Sequence, residues 1–166
     1  MATTEPASPS ELRQRLLDRW AEPNPAERSA WTGFLRAHSR ITKALDRELA
    51  AAHDLPLSEY DVLAQLALRD DGRLRMSDLA EAIVLSPSGL TRLVDRLARR
   101  GLLRRERCDA DSRVVYATIT AAGLEKLVEA TPTHLDGIRR LFWAHLTDEQ
   151  SEELASIVEC LGRRPE

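Results

Sequence analysis

Aromatic residues are scarce in this chain, at 4%, and there is no overall excess of positive charge, the formal net charge being −3. Cysteine occurs twice and glycine seven times. Each shortage excludes something. Two cysteines, Cys108 and Cys160, form neither a disulfide framework nor a metal-ligand spacing. Glycines spread singly leave no G-x-G run, no phosphate loop and no G-x-S-x-G turn, so the usual nucleotide and hydrolase signatures are missing. The four histidines (His38, His53, His134 and His145) fall into no H-x-x-x-H pattern. No cofactor and no enzyme activity are expected. Apolar runs stop well short of the roughly 20 residues of a membrane span, and the opening MATTEPASPSELRQ has no signal-peptide pattern. A cytoplasmic location without a membrane partner is the expectation.

What is present suits one well-packed domain: 166 residues, 43% hydrophobic and 31% charged. The charge is unevenly placed. From Ser86 to Arg113 eight arginines face four acids, a local +4 that leaves −7 on the rest of the chain. Binding to a nucleic acid depends on such a local basic surface, so an acidic remainder is compatible with it.

That basic stretch opens with a helix signal. Ser86 is placed to cap the first turn, Pro87 suits the first helical position, and Gly101 offers a left-handed exit after Arg99 and Arg100. Leu90, Val94 and Leu97, with Leu93 beside them, form an apolar stripe at helical spacing. The other face carries Ser88, Gly89, Thr91, Arg92, Asp95, Arg96 and Arg99. Small hydroxyls, a glycine and arginines suit close approach to base edges and phosphates. They also suit an ordinary solvated face, and the neighbours shift the balance. Met76 to Val84 reads as a short helix one tight turn upstream, which is helix-turn-helix spacing. Leu102 to Arg107 and Val114 to Ile119 read as two strands joined by the polar turn Cys108 to Arg113. Helix, turn, helix and charged hairpin make a winged helix-turn-helix, with the second helix in the major groove and a wing arginine in the minor groove.

The run Leu79-Ala80, Ser86 to Leu97, Gly101-Leu102, Asp111-Ser112-Arg113 and Thr120-Ala121-Ala122-Gly123 resembles the multiple-antibiotic-resistance regulator (MarR) family of bacterial transcription factors, over roughly residues 29 to 162. The resemblance implies an obligate homodimer that releases double-stranded DNA when a small molecule binds. It also implies a salt bridge between Asp61 and Arg105 that ties the winged lobe to the dimerisation region.

Elsewhere the start signals are plain. Ser8-Pro9-Ser10-Glu11 opens a short helix with Leu12, Leu16, Leu17 and Trp20 on one side. Asn24-Pro25-Ala26-Glu27 opens a long one, to about His53, whose apolar face includes Trp31, Phe34 and His38. Ser58-Glu59-Tyr60-Asp61 reads as a cap for a helix through Ala67. Arg69 to Arg75 reads as a polar loop. Thr120 caps a helix with Leu124, Leu127, Val128, Leu135, Ile138, Leu141 and Phe142 inward, which Pro132 is expected to kink or interrupt. Thr147-Asp148-Glu149-Gln150 opens the last helix, with Leu154, Ile157, Val158 and Leu161 inward.

The expected fold is all-α with a small β-wing. A winged helix-turn-helix lobe covers residues 58–120, and residues 8–57 and 121–162 supply N- and C-terminal dimerisation helices, although an intrachain bundle would bury the same stripes. The expected function is that of a homodimeric DNA-binding regulator, a repressor. Candidate DNA contacts are Ser86, Ser88, Gly89, Thr91, Arg92, Arg96, Arg99 and Arg113, with Asp111 orienting a wing or recognition-helix arginine, Arg96 foremost. Candidate effector contacts are Trp20, Trp31, His38, Asp61 and Arg105. Trp20 has two readings. It anchors its helix, or, by similarity to the urate-responsive branch of the family, it faces a flat aromatic anion. His38 is a core-edge or pocket residue, or a metal ligand with His134. Cys108 is a small strand-end residue or, beside Arg105 and Arg107, a redox-responsive thiol. Cys160 reads as core. The fold alone also permits protein or RNA contacts.

Overall fold

The computed structural model describes residues 7–83, 87–107 and 114–162. Among them are seven helices: α1 (Pro9–Ala21), α2 (Pro25–His53), α3 (Leu57–Ala67), α4 (Met76–Ala82), α5 (Pro87–Arg99), α6 (Ala121–Leu141) and α7 (Asp148–Gly162). Three short strands, β1 (Arg73–Arg75), β2 (Leu103–Arg107) and β3 (Val115–Ile119), and a 3-10 turn at Trp143–His145 complete the order. The chain divides into two compact units, residues 1–40 and 41–166, with the division inside α2. No helix among the described residues is long and apolar enough to cross a membrane.

In the first unit the helix starts are those the sequence spells out. The Ser8 hydroxyl accepts the Glu11 N–H at 3.3 Å and the Glu11 carboxylate accepts the Ser8 N–H at 2.8 Å, with Pro9 as the first helical residue. Asn24 and Glu27 reciprocate in the same way, at 3.0 and 2.7 Å. Each pair satisfies two amides that the first turn would otherwise leave unbonded.

The second unit holds the core. Leu49, Leu55, Val62, Leu63, Leu66, Leu79, Leu90, Val94, Leu97, Leu103 and Ala117 are almost wholly buried in one cluster. Helix α3 lies at its centre, against α4, α5, α6 and the sheet. The sheet is antiparallel in the order β1-β3-β2. Its register sets Leu74 opposite Ala117 and Leu103 opposite Ile119, which puts the apolar side chains on the face toward the helices.

Several expectations change here. Arg73–Arg75 is not loop but a third strand, paired with β3. With only Leu74 inward, three residues are too few to show alternation. Helix α3 starts at Leu57, with Pro56 as its N-cap and no side-chain cap. The Leu57 N–H instead donates to Asp46 Oδ1 at 2.9 Å, so an acceptor eleven residues upstream replaces Ser58. Pro132 does not interrupt α6, which runs unbroken through it. Proline removes one amide hydrogen bond, and the Thr131 hydroxyl beside it donates to the Leu127 carbonyl at 2.7 Å. Finally, the inward face of α6 is made of small residues, Gly123, Ala130 and Gly137, with Leu127. The larger Leu124, Val128 and Phe142 are exposed, as are Ile157, Val158 and Leu161 on α7, where no residue is buried. Cys160 is likewise exposed rather than core.

The Thr120-x-x-Gly123 motif has a plain cause. The Thr120 hydroxyl accepts the Gly123 N–H at 3.1 Å and donates to the Gly101 carbonyl at 2.7 Å. A Cβ on Gly123 would stand 2.0 Å from the Leu102 carbonyl oxygen, so only glycine lets α6 start this close to the backbone after α5.

Candidate nucleic-acid interface

Helix α5 has two sides of opposite character. Leu90, Leu93, Val94 and Leu97 are buried in the core, and Ser88, Thr91, Arg92, Arg96 and Arg99 are exposed, with Gly89 half-buried. Its exit is left-handed at Gly101 (φ 73°). The Gly101 N–H bonds the Ala98 carbonyl and the Leu102 N–H the Leu97 carbonyl, both at 3.0 Å. This paired closure turns the chain into β2 and fixes where the wing begins. Ser86, Asp111, Arg113 and Cys108 lie outside the described residues.

The described arginines of the basic segment separate into paired and open ones. Arg104 bonds Glu106 at 2.5 Å and Arg105 bonds Asp95 at 2.7 Å. Arg100 and Arg96 both bond Glu59, Arg100 through Nη1 at 2.5 Å and Arg96 through Nε. Arg92, Arg99 and Arg107 are exposed and have no carboxylate partner among the described residues. Unpaired guanidiniums beside Ser88 and Thr91 make a surface that a phosphate backbone can neutralise while a base edge is read.

One expected pairing is corrected by these bonds. Arg105 pairs with Asp95 of α5 and not with Asp61: β2 lies alongside α5, so α5 supplies its acid. Asp61 has no ion-pair partner among the described residues, and burial raises its carboxyl above the usual value. Arg96 bonds Glu59 through Nε; its expected pairing with Asp111 falls on a residue outside the described ones.

Glu59 is the residue that sequence reasoning missed. It is 1% exposed, with Arg96 on one oxygen and Arg100 on the other. Arg100 also donates through Nη2 to the Asp54 carbonyl at 2.7 Å and to its carboxylate at 3.3 Å, where Asp54 leaves α2 with φ 49°. The signal was available: Glu59 precedes Leu63 by four residues and Leu66 by seven, so the acid stands on the buried stripe of α3.

Along the sheet, the Arg73 guanidinium lies 4.7 Å from the Tyr116 ring centre and Arg75 Nε donates to the Tyr116 hydroxyl at 3.2 Å. Arg104 beside Glu106 and the Thr118 hydroxyl hold that carboxyl below its usual range. Between α6 and α3, the His134 ring sits against Tyr60 at 4.3 Å between centres, and burial holds its imidazole below the ordinary histidine value.

The remaining effector candidates belong to the first unit. Trp20 on α1 is 49% exposed. On α2, Trp31, Phe34 and His38 form a row of exposed rings with centres 6.4 and 6.3 Å apart. His38 is therefore surface rather than core edge. No cluster of three or more His, Cys, Asp or Glu able to hold a metal ion occurs among the described residues.

A family model described as MarR family matches residues 53–114, from the end of α2 to the residue before β3. The chain is 31% identical to the uncharacterized HTH-type transcriptional regulator YkoM of Bacillus subtilis, over 72% of this chain and 75% of that protein. Among solved structures, Sco3205 of Streptomyces coelicolor, a MarR family transcriptional regulator in complex with DNA, superposes with a TM-score of 0.80 at 32% identity, covering 86% of this chain and 91% of its own. AbsC, a MarR family transcriptional regulator of the same organism, gives 0.77 at 31% identity, covering 84% and 93%.

Proposed function

The chain belongs to the MarR family of DNA-binding transcriptional regulators, and from that premise we propose that it is a homodimeric repressor released from a pseudo-palindromic operator by a small planar aromatic anion. The observation that carries the reading is the two-sided α5, with a buried apolar face and Arg92 and Arg99 open opposite it. Ser88, Thr91 and Arg92 contact bases or their near phosphates, and Arg107 and the wing arginine Arg113 add backbone affinity. Two such helices on one two-fold axis read half-sites one duplex turn apart, ~34–36 Å.

The dimer is supported by the exposed apolar residues on α1 and α7, which a second copy would cover. The effector is supported by the exposed rings of Trp20, Trp31, Phe34 and His38 in the first unit, which suit a flat ligand. Because Arg105 is bonded to Asp95, an anion that draws Arg105 away loosens β2 from the recognition helix directly. That replaces competition with Asp61 as the route from ligand to DNA release.

The test is footprinting on DNA flanking the protein's own gene, repeated with a panel of aromatic acids that includes salicylate and urate. The expected result is a protected two-fold site, lost on adding one of the acids. The dimer's log–log salt slope should be roughly −5 to −7, from about 3–4 phosphate contacts per protomer. A slope near zero on a confirmed site overturns the docking.

A further inference from the structure

The two arginines bonded to Glu59 are used differently. Arg100 is engaged at both ends of its fork, Nη1 on Glu59 and Nη2 on Asp54. Arg96 is held only by Nε. Its side chain is 49% exposed, and Nη1 and Nη2 take no partner among the described residues. Those two terminal nitrogens form the pair with which arginine makes an end-on bidentate contact to guanine O6 and N7 or to a phosphate. A flexible arginine loses rotamer freedom when it makes that contact, whereas one already pinned at Nε loses less.

We propose that Glu59 is a positioning residue for DNA recognition: from inside the core it fixes Arg96 by Nε, so that the two terminal nitrogens are presented to a base edge, while Arg100 anchors the end of the helix. The buried carboxylate is stable there because each oxygen receives a charge-assisted N–H. The separation of roles explains why one acid serves two arginines a helical turn apart. Arg100 ties α5 to α3 and to the turn at Asp54, and Arg96 adds to the base preference. This rests on α5 being the recognition helix.

The experiment is a double-mutant cycle on the full-length protein, using Glu59→Gln, Arg96→Ala and the pair. It reads the ratio of affinities for the footprinted operator and a scrambled duplex, with unfolding midpoints measured alongside. Glu59→Gln should lower the ratio about tenfold, of the order expected for a weakened bidentate contact, and should have no further effect in the Arg96→Ala background. A merely structural Glu59 lowers the midpoint and leaves the ratio alone. An equal loss of the ratio in both backgrounds, or no loss in either, overturns the proposal. Arg96→Lys keeps the charge and Glu59 but has neither Nε nor the fork. It should lose the ratio as Arg96→Ala does, and wild-type discrimination by Arg96→Lys overturns the proposal even if Glu59→Gln does not fold. A wild-type protein with no salt-dependent, operator-specific binding would instead refute the recognition-helix reading, a distinguishable result.

Discussion

Helices α1 and α5 are each thirteen residues long and each begins with proline, yet α1 buries none of its residues while α5 buries Leu90, Leu93, Val94 and Leu97. On α1 the corresponding stripe of Leu12, Leu16, Leu17 and Trp20 is about half exposed. The stripes look alike in the sequence. The difference teaches that amphipathic periodicity declares that a face will be covered, without declaring by what. For α5 the cover is α3, the sheet and the rest of one intrachain core, which makes the winged module self-sufficient. On α1 and on α7 the apolar side chains stay exposed among the described residues.

The sharpest way to break that contrast is to damage the self-sufficient part. Gly123→Val puts side-chain atoms against the Leu102 carbonyl oxygen, which a Cβ alone would approach to 2.0 Å. A loss of about 3 kcal/mol or more is expected by urea unfolding, above the usual range for overpacking because the obstacle is backbone. Gly33 on α2, with open space where its Cβ would stand, is the control. Its change to alanine should stabilise by about 0.5–1 kcal/mol.

Next in size, Leu97→Ala opens a cavity in the core and should cost about 2–5 kcal/mol at any protein concentration. Leu16→Ala on α1 should change the unfolding free energy of the dilute monomer by no more than about 0.5 kcal/mol. Its effect should appear as a weaker dimer by sedimentation, and therefore as a melting temperature that depends more on concentration. Equal and concentration-independent losses from the two leucines would erase the distinction between the regions.

On the exposed side of α5, Arg92→Ala should cost about 1–3 kcal/mol of operator discrimination with the fold unchanged, since Arg92 has no partner to lose among the described residues. Arg113→Ala should weaken operator and scrambled duplex alike. If neither variant alters binding, the DNA surface lies elsewhere.

The smallest effect is set by pH. Burial lowers the His134 value in the folded protein below the ordinary 6.5. The unfolded chain then binds the extra proton first, so this residue's contribution to stability is present above 6.5 and fades as pH falls toward the folded value. His134→Phe should flatten the decline in unfolding free energy between pH 7 and pH 5. Asp61 works in the opposite sense. Its value is raised by burial above 3.8, so its ionised form disfavours the fold at neutral pH, and Asp61→Asn should stabilise more at pH 7 than at pH 3.5.

Local chemistry was legible because it acts over a few residues. The reciprocal caps at Ser8 and Glu11, Asn24 and Glu27, and Thr147 and Gln150 each close within one turn. The left-handed exit at Gly101 and the Thr120 cap stand where the residue types placed them. So do the stripe of α5 and both wing strands, β2 and β3, to within a residue at each end. The sequence by itself therefore determined the starts of α1, α2, α6 and α7, the winged order of elements and the arginine-rich face of α5. Only the tertiary structure decided which charges meet. Glu59 lies 37 residues from Arg96 and 41 from Arg100, and Asp95 lies ten from Arg105. In the sequence Glu59 stands on the apolar stripe of α3, but nothing there names the partner of any of these acids. Burial on α3 made one of them unable to remain unpaired, while the approach of β2 to α5 gave Arg105 an acid other than Asp61. Ion pairing over such distances follows from which faces the core brings together, because a charge chooses its partner by proximity and desolvation and carries no periodic mark of that choice along the chain.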